Sequence, residues 1–270
     1  MPELPEVETI KNGLLCLKGQ TISQIIIKSP HCLRPHPDRF SQFRPRQVKN
    51  ITRRGKLLIF VLERNLFLIF HLKMTGKLFL NPPSPYPKHT HLIFKFAQGQ
   101  TLIFQDTRKF GFVCLFTSQE LKTWPFWKDL GKDPLRIAWE DFKKLFTSQA
   151  QVKSLLLNQK ILAGIGNIYA DESLFLAGIH PQTKANQIPA AKLKKLYTAL
   201  QKVLQKAIQL GGSSFRDYVD SLGQKGKFQE QFWVYGRYGK PCLQCQTTLE
   251  KIKVCGRTST ICPQCQRLYL

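Results

Sequence analysis

The residues best placed to do chemistry are Pro2 and Glu3, at the head of the run Met1-Pro2-Glu3-Leu4-Pro5-Glu6-Val7-Glu8-Thr9. A small second residue permits removal of the initiator Met1, and the chain would then begin with a secondary amine beside a carboxylate. An α-amino group titrates at about 7.7–8.0, against about 10.4 for a lysine side chain, so part of it is unprotonated and nucleophilic at neutral pH. A secondary amine that attacks an aldehyde or a sugar C1′ gives an iminium with no further N–H to lose, which remains an electron sink. The same residues also read as an ordinary helix start, with proline and acidic side chains in the first turn. Leu4, Val7, Ile10, Leu14 and Leu17 recur at helical spacing, which predicts a helix over residues 3–18.

A second constellation lies near the C-terminus. Cys242-Leu243-Gln244-Cys245 is followed, after sixteen intervening residues, by Cys262-Pro263-Gln264-Cys265. Two such knuckles offer four thiolates to one tetrahedral ion, which suits a structural Zn²⁺ and leaves no open position for catalysis. Cys255, between them, is a spare. A hairpin held by the metal would carry Gly256-Arg257-Thr258 at its tip, where an arginine suits phosphate contact.

Three further segments carry weaker signals. Gly164-Ile165-Gly166-Asn167-Ile168-Tyr169 places a glycine turn before a helix with Asn167 as its N-cap, which suits an anion and equally suits a plain helix corner. His71-Leu72-Lys73-Met74-Thr75-Gly76 and Asp106-Thr107-Arg108-Lys109-Phe110-Gly111 each set a cation beside a bulky apolar residue. Proteins that wedge open a duplex use such pairs, although Met74 and Phe110 read equally well as core residues. Arg53-Arg54-Gly55-Lys56 reads first as a solvated charge cluster.

The composition favours a polyanionic partner. Lys and Arg number 41 against 17 Asp and Glu, a formal charge of +24, and each half of the chain carries +12 of it. A charge shared so evenly is no detachable tail, and a nucleic acid in contact with both domains is the simplest account. Hydrophobic content of 43% and aromatic content of 11% exclude a disordered chain. The longest apolar run, Leu57–Leu62, is strand-sized, so no membrane span is expected. Cys16, Cys32 and Cys114 read as buried free thiols, and the cysteine pattern fits a reducing cytoplasm.

Short β-branched or aromatic runs predict strands at Thr21–Lys28, Lys56–Leu62, Leu66–Leu72, Lys77–Leu80, His91–Phe96, Thr101–Gln105 and Phe112–Phe116, hence a two-sheet sandwich. Glu63-Arg64-Asn65 and Ala97-Gln98-Gly99-Gln100 read as hairpin connections. Leu130-Gly131-Lys132-Asp133-Pro134 reads as the interdomain linker. Helical patterning follows at Trp139–Phe146, Val152–Leu157, Ile168–Ala177 and Ala191–Leu210, and Gly211–Lys227 reads as a mobile loop.

Taken together, the start Pro2–Thr9, the turn Gly164–Tyr169, the motif Val234-Tyr235-Gly236-Arg237 and the terminal cysteine knuckles closely resemble the bacterial formamidopyrimidine-DNA glycosylases. The motifs stand in family order from residue 2 to about residue 267. The resemblance implies an α+β protein: an N-terminal helix and antiparallel β-sandwich at 1–130, a helix–two-turn–helix domain at 131–236, and a zinc finger at 237–270. It implies double-stranded DNA with an oxidised base or abasic site as substrate, held in the cleft between the domains with the damaged nucleotide flipped out.

Residue by residue, the resemblance makes Pro2 the Schiff-base nucleophile and Glu3 the general acid at the deoxyribose. Lys56 matches the lysine of phosphate binding and β-elimination, and Arg257 the zinc-finger arginine of δ-elimination. Met74, Arg108 and Phe110 match the trio that fills the space of the flipped base. His71, His89, Lys153 and Asn167 fall where the family contacts phosphates, and Cys242, Cys245, Cys262 and Cys265 hold one structural zinc.

The chain departs from the family pattern at Lys73, usually glycine, and at Thr107 and Lys109, usually proline and arginine. The expected activity is release of oxidised purines (8-oxoguanine and formamidopyrimidines) with strand cleavage by β,δ-elimination, by a monomer in the bacterial cytoplasm and nucleoid. An endonuclease VIII-like activity on oxidised pyrimidines is the alternative within the architecture, and Leu4 favours the purine branch. A non-catalytic zinc-ribbon DNA-binding protein is the alternative from another class, and it would not need Pro2 beside Glu3.

Overall fold

The computed structural model describes all 270 residues. Two compact units emerge, Met1–Lys128 with Leu210–Lys227, and Asp129–Gln209 with Phe228–Leu270.

The first unit opens with α1 (Leu4–Gly13), β1 (Thr21–Ile27), β2 (Leu33–Arg34), the one-turn α2 (Asp38–Ser41) and β3 (Arg46–Arg54). It continues through β4 (Leu57–Leu62), β5 (Leu66–His71), β6 (Gly76–Leu80), β7 (Thr90–Phe96), β8 (Thr101–Asp106) and β9 (Phe112–Thr117) to α3 (Ser118–Thr123) and α4 (Pro125–Lys128). The strands are ordered β2-β9-β5-β4-β3-β1-β7-β8-β6. Only β2 on β9 is parallel, and the two halves of the sheet meet through just Thr21↔Gln47 and Ile22↔Arg46. So short a joint lets the halves pack face to face. Phe70 of β5 meets Phe94 of β7 and Phe104 of β8, with ring centroids 5.5 and 6.2 Å apart. Val7, Ile10, Leu14 and Leu17 enter the same core, so α1 is anchored by its apolar stripe.

Four details differ from the sequence expectation. Strand β3 was not anticipated, because only Val48 and Ile51 are buried and a register shift between Val48 and Asn50 breaks the alternation. Helix α1 ends at Gly13, and Leu15–Leu17 tightens into a 3₁₀ turn. Cys16 is exposed, whereas Cys32 and Cys114 are buried. The segment Gly211–Lys227, read as a loop that follows the last helix of the helical domain, belongs with Leu210 to the first unit. Its base is tied by Lys227 N–H donating to the Leu210 carbonyl at 2.8 Å and by the Ser213–Lys227 bridge.

The second unit contains α5 (Trp139–Lys144), α6 (Val152–Leu157), α7 (Asn167–Ala177) and α8 (Ala190–Gln209), then the hairpin of β10 (Glu250–Val254) and β11 (Arg257–Ile261). Helix α8 is amphipathic, burying Leu193, Leu196, Leu200, Val203, Leu204 and Ala207. Helix α7 is buried nearly all round and ends at Gly178 in the left-handed region, φ 71°. A buried helix with charged residues must satisfy them internally. Asp171 pairs through one oxygen with Lys153, and Glu172 accepts from three backbone N–H groups. No helix is long and apolar enough to cross a membrane.

Candidate active site

The N-terminal centre is organised by a residue the sequence reading passed over, Glu6. Glu3 is the N-cap of α1, and Glu6 returns its carboxylate to the Glu3 N–H at 2.8 Å, the reciprocal arrangement of a capping box. The other Glu6 oxygen accepts from Ser213 N–H at 2.8 Å, and the Glu6 carbonyl accepts from the Tyr218 hydroxyl at 3.3 Å. One buried carboxylate thus joins the start of α1 to the 210–227 segment. Gly212 permits the approach: φ is +82°, and a Cβ there would meet Glu6 Cγ and Oε1 at 3.0 Å. The Glu-x-x-Glu spacing was the available sequence signal for Glu6.

Pro2 and Glu3 are buried, while Met1 is 38% exposed. Burial lowers the pKa of the Met1 amine below its ordinary 8.0; Glu3 and Glu6 oppose the shift, and Lys56 and Arg216 add to it. The terminal nitrogen therefore shares its electrostatic surroundings with Lys56. That lysine sits in the β3–β4 turn, only 8% exposed, after Gly55 at φ 58°. The turn is braced by Arg53, whose guanidinium donates to Glu8 Oε2 at 2.7 Å and to the Gly55 carbonyl at 2.9 Å. Arg54 lies over the Trp127 ring at 4.3 Å. The reading of Arg53–Lys56 as a solvated cluster is corrected: Arg53 is 5% exposed and paired.

Met74 and Phe110 sit in two adjacent turns. Met74 is half-buried and Phe110 is 50% exposed, so neither belongs to the core. Arg108 lies over the Phe110 ring at 4.9 Å. Lys73 and Lys109 hold left-handed backbone, φ 49° and 58°, and the Lys73 ammonium rests over Phe112 at 5.6 Å. His89, also left-handed at φ 66°, gives its carbonyl to Asp106 N–H at 3.1 Å.

In the second unit, four cysteine sulfurs converge. Cys242, Cys245, Cys262 and Cys265 all lie within 4.8 Å of one another, with sulfur pairs at 3.4 and 3.9 Å. A tetrahedron with Zn–S bonds of about 2.3 Å sets its sulfurs about 3.8 Å apart, so the donor set fits one structural zinc ion. Gln244 N–H and Cys265 N–H donate to Cys242 Sγ and Cys262 Sγ at 3.4 Å, as knuckle backbones do around metal-bound thiolates. Cys255 is outside the cluster and contacts Gln151 Oε1 at 3.2 Å.

Helix α7 holds this metal hairpin from below. Lys153 is fully buried against Asp171 Oδ1 at 2.6 Å, and it also donates to the hydroxyl of Ser259 in β11. Asn167 donates to the Thr258 carbonyl at 2.9 Å, next to the exposed Arg257. The Glu172 carboxylate accepts from the N–H groups of Trp233, Val234 and Tyr235 at 2.8, 3.0 and 2.8 Å.

Comparison with known proteins matches this geometry to one family along the whole chain. Residues 1–113 match the formamidopyrimidine-DNA glycosylase N-terminal domain, residues 130–219 its H2TH domain, and residues 239–268 the zinc finger found in FPG and IleRS. A formamidopyrimidine-DNA glycosylase of Solibacter usitatus is 44% identical over 270 residues, covering 99% of this chain and all of the relative. The chain belongs to the formamidopyrimidine-DNA glycosylase family. Among solved structures, a Lactococcus lactis FPG mutant in complex with Fapy-dG-containing DNA superposes with TM-score 0.89 at 38% identity, covering 98% of this chain and 100% of that one. The Lactococcus lactis Fpg complex with DNA containing an abasic site gives 0.88 at 38% identity, covering 98% and 99%.

Set beside the family's motif positions, the structure brings Pro2, Glu3 and Lys56 into one environment, and Asn167 and Arg257 into another. The N-cap expectation for Asn167 is corrected. Asn167 is the first residue of α7, with Gly166 as N-cap, and its amide nitrogen donates to the Thr258 carbonyl of the zinc hairpin. Lys153, matched to a family phosphate position, has no exposed surface and ties α6 to α7 and β11.

His71 is also constrained, 6% exposed and stacked on Phe112 at 5.2 Å. Its Nδ1 accepts from Lys73 N–H at 3.0 Å, which leaves the neutral ring's proton on Nε2. Burial, helped by Lys73 and Lys56, lowers its pKa to about 3. It can donate a hydrogen bond near neutral pH but carries no charge. The unfolded chain takes up this proton near pH 6.5 and the folded chain only near 3, so His71's stabilisation is complete above the first and lost as pH falls. Between pH 7 and 5 the loss is about 2 kcal/mol. Urea unfolding of the parent and His71→Gln at both pH values should show the parent losing that much more; equal losses would contradict a neutral buried His71.

Proposed function

We propose that this chain is a bifunctional DNA glycosylase and AP lyase of base excision repair, acting on oxidised purines in double-stranded DNA. The observation that carries the reading is the full-length family match together with a buried Pro2 beside Glu3 at the capped start of α1. After loss of Met1, the Pro2 nitrogen attacks C1′ of the everted nucleotide and the C1′–N bond breaks, the electron pair leaving with the base, which takes up the proton lost from the Pro2 nitrogen. Glu3 supplies a proton to the sugar oxygen as the ring opens, giving a Pro2–C1′ iminium.

Lys56, beside the same amine, assists removal of the C2′ proton. The electron pair moves toward the iminium and the 3′ phosphate leaves. Arg257 assists a second elimination that expels the 5′ phosphate, and water then releases the sugar fragment from Pro2. Met74, Arg108 and Phe110 fill the space of the everted base, while His71, His89 and Asn167 position the backbone. Zinc would keep Arg257 on a rigid tip, and its four thiolates leave no position for substrate. We assign the activity to a monomer in the bacterial cytoplasm, associated with the nucleoid through DNA. For the domains we propose the sandwich at 1–130, the helical domain at 131–236 without its loop 210–227, and the zinc finger at 237–270.

The test is incubation with duplexes carrying 8-oxoguanine, thymine glycol or no lesion. Strand cleavage at 8-oxoguanine with both flanking phosphates retained is expected. Cleavage confined to thymine glycol would favour the pyrimidine activity, and binding without cleavage would favour the non-catalytic alternative.

Affinity should divide between phosphates and the wedge. With about six phosphate charges neutralised, log affinity should fall against log salt with a slope of about −5. Arg257→Ala should make the slope shallower by about one, and Phe110→Ala, which removes no charge, should leave it unchanged. A slope changed equally by both would refute this division.

A further inference from the structure

Asp106 is fully buried at the end of β8, and its groups reach four of the residues expected to touch DNA or the segments that carry them. Its Oδ1 accepts from the Thr75 hydroxyl at 2.5 Å and from Arg108 N–H at 3.2 Å. Its Oδ2 accepts from Gly111 N–H at 2.7 Å. Thr75 Oγ1 in turn accepts from Arg108 N–H at 3.1 Å, so the turn that carries Met74 and the turn that carries Arg108 and Phe110 share one three-membered network. The backbone of Asp106 extends it: its N–H donates to the His89 carbonyl, and its carbonyl lies 2.8 Å from Nε2 of the buried His91. Gly111 is required for this closeness, because a Cβ there would stand 3.0 Å from Asp106 Oδ2 and 2.9 Å from Phe104 Cζ.

We propose that Asp106 and Thr75 are positioning residues that lock the Met74 turn to the Arg108–Phe110 turn, so that the two insert into the duplex as one rigid wedge. The inference rests on the reading of Met74, Arg108 and Phe110 as the fillers of the everted base's space. Both turns need such a lock in this chain. Lys73 and Lys109 hold left-handed backbone that non-glycine residues adopt only at a cost, so the turns are not held by local preference. A buried carboxyl group with three donors is a stiff joint, since each donor freed would leave a buried polar atom short of a partner. Without the Thr75 hydroxyl, Asp106 still holds the Phe110 turn, but its side chain no longer reaches the Met74 turn, which is then tied to β8 only through the Gly76↔Asp106 ladder pairing.

The test compares Thr75→Val, which removes the hydroxyl at nearly constant size, with Thr75→Ser, which restores it, and with Phe110→Ala. Single-turnover release of 8-oxoguanine needs eversion of a stacked base, and cleavage of a ready-made abasic site does not. Displacement of a positioned group by about 1 Å can cost up to about 100-fold, so Thr75→Val should slow base release by about 10-fold or more. It should slow abasic-site cleavage far less, and Thr75→Ser should recover base release to within about 3-fold of the parent. If Thr75 acts through the wedge, the double variant Thr75→Val/Phe110→Ala should be no slower than Phe110→Ala alone.

Equal slowing of both reactions, failure of Thr75→Ser to rescue, or additive effects in the double variant would overturn the brace. Phe110→Ala separates the two layers of the argument. Selective slowing of base release by Phe110→Ala but not by Thr75→Val rejects only the brace. Absence of selectivity in Phe110→Ala itself rejects the wedge, and the brace with it.

Discussion

A protein with an uncleaved peptide ahead of Pro2 is expected to fold normally and to lose base release and strand cleavage together, by about 1,000-fold or more. The packing of α1 is carried by residues that follow Pro2. The helix is anchored through Val7, Ile10, Leu14 and Leu17, its N-terminus is closed by the Glu3–Glu6 exchange, and Met1 already reaches solvent. What the extension removes is the secondary amine, converted to an amide whose lone pair is delocalised and cannot attack. Lesion affinity should fall much less, because the wedge turns and the zinc hairpin are untouched. The measurement is single-turnover kinetics on 8-oxoguanine and abasic duplexes, with and without proteolytic removal of the extension. Full activity in the extended protein would remove Pro2 from the mechanism.

The second large effect is expected from Cys262→Ser. Cys262 is buried, its sulfur lies 3.4 Å from Cys245 Sγ, and it packs with Phe175 of α7, Val234 and Leu249. Four thiolates saturate a tetrahedral ion, and the metal's binding free energy is the hairpin's folding free energy. Removing one ligand should take bound zinc from one per chain to none. It should also weaken DNA binding by about 100-fold, since Arg257 is carried by that hairpin and Asn167 is bonded to it. Hydrogen exchange should show the β1–β9 amides still protected, because none of the ligands lies in that unit. Retention of zinc, or unchanged DNA binding with only the chemistry lost, would show that the metal is not structural.

What the sequence made legible was whatever is fixed by covalent spacing. The two cysteine knuckles are pairs three residues apart, and their four sulfurs do converge. Pro2 beside Glu3 needs no tertiary information to be recognised as unusual. Helices α6 and α7 and the strands β4, β5, β7, β8 and β9 were visible within a residue or two, because each is a largely apolar run bounded by turn or polar residues.

The failures share a physical origin in contacts between residues far apart in the chain. Glu6 and Ser213 are 207 residues apart, so the bond from a buried carboxylate into the Gly211–Lys227 segment was invisible in the sequence. Lys153 sat in a family phosphate position, but its partners Asp171 and Ser259 come from two other elements and withdraw it from solvent. Asn167 had the composition of an N-cap, and the carbonyl of Thr258 claimed its side chain instead. Strand β3 was hidden by its own irregular register, which removes the alternation by which half-buried strands are recognised.

The central claim is that the nucleophile is the nitrogen of Pro2. It is tested most directly by borohydride reduction of the protein with a duplex containing 8-oxoguanine, followed by mass mapping of the cross-linked peptide. Reduction of a Pro2–C1′ iminium should leave the deoxyribose on the N-terminal peptide, with Met1 absent and Pro2 as the modified residue. An adduct formed at full rate on Lys56, or on any other internal lysine, would contradict the account.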